Sequence, residues 1–180
     1  MQYTSYELLW LFFIYSVLGW AVGVVIAAVK RKKFVNTGVL SLPMCPVYGF
    51  GAVLNAIFLT DLKSAPVFLA IGGAVLSSFL VVATGVVLEH IFHRKWWDYS
   101  KNRFQYEGYF GIWHLLIFGA AIVVMMKFAN PLILQILRQI PHMIGRIILI
   151  VAYILMAIDF LGSVVAILQL KIKLRRIMQL

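Results

Sequence analysis

Four side chains able to carry a proton, Glu89, His93, His114 and Asp159, fall within or beside long apolar runs of a chain with only six acids and four histidines. Glu89 has His93 four residues on, and Ser78, Val82 and Gly85 share its helical face, which turns the carboxylate inward toward a partner near one helix end. Gly162, Ser163 and Ala166 share the face of Asp159, so this acid points to a neighbouring helix and away from lipid. Ionisable groups in such places mark substrate paths or proton relays by default. An acid that pairs with His114 or a tyrosine would instead simply hold a bundle together, and both readings stand at this level. No metal centre is expected from Glu89, His90 and His93, because zinc needs three or four ligands and the only cysteine, Cys45, is far along the chain.

A second constellation lies in KRKKFVNTGVLSLPMCPVYGFGA, Lys30 to Ala52. Pro43 and Pro46 cannot continue a helical hydrogen-bond ladder, and Gly49 and Gly51 permit close backbone approach. With Cys45 and Tyr48 they predict a broken or partly re-entrant segment. Broken backbone at membrane depth is buried in protein or faces water, so it is either a kink held by neighbouring helices or the lining of a pathway. Cys45 has no base beside it in sequence and reads as a small buried hydrophobe, not a nucleophile. A third constellation is a basic and aromatic collar, Arg94, Lys95, Trp96, Trp97, Asp98, Tyr99, Lys101 and Arg103. Its rings suit the headgroup level and its cations attract anionic lipid; with the Lys30 to Asn36 loop it could form one phosphate-binding pocket, Asp98 bridging to a loop cation.

The elements that must position these residues follow from the solvent. Of the 180 residues 63% are hydrophobic and 12% charged, with a mean hydropathy of +0.97, which places the chain in a bilayer and excludes a soluble globular domain. The fold class expected is an all-α polytopic membrane protein forming a single transmembrane domain, 1–180. Five spans are expected near 7–29, 43–59, 66–91, 109–126 and 147–170. The N-terminus lacks a basic region before its apolar run and reads as a retained helix, not a cleaved signal.

Net charge is +10, but the cations are dispersed between spans, which argues for topology and against nucleic acid as a partner. With five spans, twelve of the 16 cations fall on one face, leaving Lys63, Lys127, Arg138 and Arg146 on the other. The positive-inside rule then places the C-terminus in the cytoplasm and the N-terminus outside. Between Asn130 and Arg146 polar residues recur at steps of three and four opposite Leu132, Ile133, Ile136, Leu137 and Ile140. This amphipathic segment, 130–146, either lies in the outer interface or leads into the last span.

Lys33 to Gly38 is echoed by Arg103 to Gly108, each followed by an aromatic-Gly-Ala step, Phe50-Gly51-Ala52 and Phe118-Gly119-Ala120. The echo suggests a parallel repeat of two-helix units plus a C-terminal helix. On α-helical spacing Gly19, Gly23 and Ala27 form a small-residue face for helix packing, one place where two copies of the chain could meet.

The stretches FFIYSVLGW, KKFVNTGVLSLPMCPVYGFGA and WWDYSKNRFQYEGY resemble those of the bacterial ABC-transporter type IV permease family, the CmpB-like membrane proteins, from about Phe12 to Phe128. The resemblance implies a bacterial cell membrane and a permease subunit of unknown substrate. It also implies an acid three residues after the tryptophan of LGW, where this chain has Gly23. Such a permease would need a separate ATPase, because the chain has no G-x-x-x-x-G-K-[ST] phosphate loop. No enzymatic activity and no cofactor are expected. The alternative is a non-transporting module that binds lipid or steadies a partner complex.

Overall fold

Thr4 and Glu7 start the first helix by satisfying each other. The Thr4 side chain accepts from the Glu7 N–H at 3.3 Å, and the Glu7 carboxylate accepts from the Thr4 N–H at 2.8 Å. The computed structural model describes residues 3–34, 36, 38, 40–92, 105–106 and 110–178. In chain order the elements are α1 (Ser5–Arg31), α2 (Pro46–Phe58), a 3-10 turn (Thr60–Ser64), α3 (Pro66–Phe92), β1 (Gln105–Tyr106), β2 (Phe110–Gly111), α4 (Ile112–Val124), a π turn (Met125–Ala129), α5 (Asn130–Leu137) and α6 (His142–Met178). The two strands are two residues each, pair antiparallel and lead directly into α4.

The protein is an all-α, multi-pass membrane protein. Among the described residues four stretches are long and apolar enough to cross a bilayer: Ser5–Val29, Pro66–Ile91, Ile112–Leu137 and His142–Ala166. The second expected span differs in kind. Its helix, α2, has 13 residues, roughly 20 Å at 1.5 Å per residue, against about 30 Å of hydrocarbon.

Contacts fix the directions of the helices. α2 runs antiparallel to α1: the Cys45 N–H donates to the Ser16 carbonyl at 2.8 Å, while Ala56 and Leu59 share a core with Leu11. α3 starts where α2 ends, and Asn55 of α2 donates to the Ser77 hydroxyl at 3.3 Å. α4 returns antiparallel to α3, so that the π turn at its end meets the 3-10 turn that precedes α3. α6 runs parallel to α1, with the His142 ring tilted against Tyr6 and the Tyr153 hydroxyl donating to the Leu9 carbonyl at 3.0 Å.

Two boundaries move for stated reasons. The apolar pattern ends the fourth span at Met126, but the helix continues to Leu137 through the π turn. Pro131 has no N–H to give, and the wider i→i+5 turn just before it, where the Asn130 N–H donates to the Met125 carbonyl, absorbs the mismatch. The last helix starts at His142, not 147, so the expected amphipathic segment 130–146 divides into α5, a turn at Arg138 to Pro141, and the first turn of α6. Along it Leu137 is buried with Trp10 and Leu149, whereas Leu132 and Ile136 are exposed.

The two hairpins α1–α2 and α3–α4 run in the same sense, as a repeat would. Within the echo, however, Gly51 lies at ordinary contact distance from Leu80 of α3, while Gly119 sits on the Ala70 carbonyl of its own hairpin. The matched glycines thus take up different contacts. Residues 103–104 and 107–108 of the echo lie outside the described residues.

Candidate functional site

The described residues between Asn36 and Cys45 return from the end of α1 to its middle without regular secondary structure. Ser16 lies 15 residues before Arg31, so α2 begins roughly 22 Å along α1 from that helix end. The descending loop and α2 together take the place of the second expected crossing, half irregular and half helical.

Asn36 organises the upper part of the loop. Its side-chain oxygen accepts from the Trp20 indole N–H at 2.8 Å and from the Gly38 N–H at 3.0 Å, and its amide donates to the Leu40 carbonyl at 3.0 Å. This is an Asx-type turn tied to α1 by a tryptophan. Further down, the backbone donors of four successive residues are all accounted for. Leu42 N–H donates to the Asp159 carboxylate at 3.0 Å, Pro43 has none, Met44 N–H donates to the Leu42 carbonyl at 2.7 Å, and Cys45 N–H reaches Ser16. Irregular backbone at membrane depth is tolerable only with its polar groups satisfied, and the donors of this stretch are.

The prolines and glycines each have a place. Pro46 occupies the first turn of α2, where a missing N–H costs nothing. Gly49 is buried against the Phe12 carbonyl and the Ser16 hydroxyl, leaving no room for a Cβ. Tyr48 packs across Gly19 in the same way, so the small-residue face of α1 is used at that point within the chain; Gly23 and Ala27 are half-buried. Cys45 is a free, half-buried cysteine that precedes α2.

Of the expected proton carriers, Asp159 is brought to the broken crossing. Its partner is neither His114 nor a tyrosine but a backbone N–H 117 residues away in sequence. His114 accepts from the Gly111 N–H at 3.2 Å and so closes the start of α4. Glu89 is half-buried in the last turns of α3. His93 and the collar, Arg94, Lys95, Trp96, Trp97, Asp98, Tyr99, Lys101 and Arg103, lie outside the described residues. Among the described residues no three His, Cys, Asp or Glu side chains gather to hold a metal.

A second polar cluster sits at the other end of α1. Asn130, fully buried, accepts from the Tyr15 hydroxyl at 2.8 Å and donates to the Tyr3 hydroxyl at 3.1 Å, which also accepts from the Lys63 ammonium at 2.8 Å. Sequence reading missed it because its members are spread over the chain before α1 and three separate elements, with no shared period. The one available signal was an Asn-Pro step inside an apolar run.

The stretches that open and continue the crossing are those that carry the family resemblance. Trp20 of LGW meets Asn36, Ser16 meets Cys45, Gly19 meets Tyr48 and Phe12 meets Phe50. The model of a family described as "Putative ABC-transporter type IV" matches residues 10–164. The chain belongs to this family. The match extends past the resemblance in the first four spans and takes in Asp159, so both partners of the Leu42–Asp159 bond lie within the region that defines the type IV family. No curated protein and no solved structure matches the chain.

Proposed function

We propose that the chain is a non-enzymatic transport subunit of the bacterial cell membrane, the permease part of an ABC-type transporter whose substrate its residues do not name. The observation that carries the reading is the broken crossing, since irregular backbone at membrane depth is the usual material of transporter pathways. The family's description points the same way. Energy would come from a separate ATPase, because the chain has no phosphate loop of its own. The N-terminus would lie outside and the C-terminus in the cytoplasm, with the 94–103 collar facing the ATPase and anionic lipid. A chain of 20.4 kDa makes a small pathway, which favours assembly of two or more copies.

One observation favours the alternative, a non-transporting module that binds lipid or steadies a complex. The Leu42 N–H and the Asp159 carboxylate satisfy each other, as a static seal would require. Mass spectrometry of the protein purified in mild detergent from its native membrane separates the two. An ATPase retained in fixed ratio, with hydrolysis lost on its removal, supports the permease; tightly held anionic lipid with no ATPase supports the module.

A further inference from the structure

Between the broken crossing and α6 lies a cavity of about 390 Å³. Phe13 of α1 forms its back, Leu42, Pro43 and Met44 one wall, and the α6 face from 147 to 155 the other. It is more than a surface dent, for it reaches Met44 and Ala152, both over 90% buried. It is also open at the side: Leu155 and its neighbours on the α6 wall are about half exposed.

We infer that this cavity binds one acyl chain of a membrane phospholipid. The lining side chains are all apolar, so an occupant with a polar group would lose its hydrogen bonds on entering. The volume falls in the range of small-ligand sites, about 300–1,000 Å³. The α6 wall lies inside the His142–Ala166 span, where the surrounding solvent is itself hydrocarbon and lipid tails are the abundant supply. From the start of α6 the site extends over a depth of roughly 7 to 20 Å, which matches a tail of the leaflet in which α1 and α6 begin.

The wall chemistry explains why a tail is accepted beside irregular backbone. Each N–H from Leu42 to Cys45 is already used or absent, so the wall turned to the tail offers side chains and no unpaired donor. Asp159 stands one helical turn beyond Leu155 and holds the inner end of the wall through Leu42. The site does not depend on the transport reading and would exist in either kind of protein.

The test uses the full chain in vesicles of phosphatidylethanolamine and phosphatidylglycerol containing a trace of phosphatidylglycerol with a diazirine at mid-chain. After irradiation and proteolysis, label is expected to concentrate on residues 42–44 and 147–155. The internal standard is Ile71, Val75 and Phe79 on α3, which are at least as exposed and equally far from a helix start at the same end. Labelling of the site should exceed that standard several-fold. Ala152→Phe fills the cavity and should reduce site labelling to the level of α3, leaving α3 unchanged. Leu155→Trp, at the exposed mouth, should do the same should Ala152→Phe fail to fold. Label spread evenly over α3 and α6, or label indifferent to the variants, would each overturn the inference.

Discussion

α1 to α4 and α6 are attached to one another by different physics. The first four helices close on each other through direct backbone approach: Gly49 on Phe12, Gly73 on Ile122 and Gly119 on Ala70, around a core of Leu11, Ala56, Leu69 and Met126. Much of α6 is exposed, with Gly145, Leu149 and Ala152 its buried positions among the described residues. Specific contacts tether it: Tyr6 on His142, Tyr153 to Leu9 and Asp159 to Leu42. In lipid, apolar side chains gain little by leaving their surroundings, so close packing and interhelical hydrogen bonds decide association. The molecule uses both means throughout, but packing is far more extensive between the hairpin helices, whereas α6 adds to its tethers a smaller buried cluster of Leu149 with Trp10 and Leu137 and the close approach of Gly145 to Tyr6.

The largest expected effect breaks the packed half. Gly49→Val places a side chain where Ser16 and Phe12 stand and should destabilise by about 3 kcal/mol, seen as loss of the monodisperse peak on heating in detergent. Full heat resistance in this variant would refute close approach as the closing device. Next comes Asn130→Ala, which strands the Tyr15 hydroxyl and removes a donor to Tyr3 in a buried site, at about 2 kcal/mol by the same assay.

The tether is tested by a pair of variants. Asp159→Leu leaves the Leu42 N–H without an acceptor and should cost about 1–2 kcal/mol, whereas Asp159→Asn keeps an acceptor oxygen and should cost less than about 1 kcal/mol. Equal damage by both would mean that the charge, not the acceptor, matters. The smallest effect is expected at Gly162, where a Cβ would meet no other atom within 4 Å. Gly162→Ala should be neutral or stabilise by up to about 1 kcal/mol through helix propensity, read as an unchanged or slightly raised melting temperature.

Much of this division was legible in the residues. Apolar runs gave the helices because hydrocarbon thickness fixes their length, and Pro43 and Pro46 located the irregular segment because neither can donate to a ladder. The expectation that Asp159 turns inward followed from its small neighbours at helical spacing, although Gly162 and Ala166 of that face stand exposed in the structure. Its partner did not: a backbone N–H in a loop 117 residues away carries no side-chain signature. The π turn was hidden for a similar reason, since it depends on how the buried Asn130 and Pro131 share one turn. Likewise, the role of Gly19 needed Tyr48 on a second helix, and a small-residue stripe alone does not say which helix fills it.

The chain between α1 and α2 returns to the level of the middle of α1, and the single cysteine is its natural reporter. Vesicle-reconstituted protein would be treated with a membrane-impermeant maleimide applied to both faces. Cys45, beside Ser16 and roughly 22 Å from the end of α1, is expected to stay unlabelled until the protein is unfolded in SDS. Lys32→Cys in a Cys45→Ser background, exposed at the start of the same loop, should label at once. Cys45 labelling as fast as that control would overturn this packing, because it would open to water a residue held against Ser16.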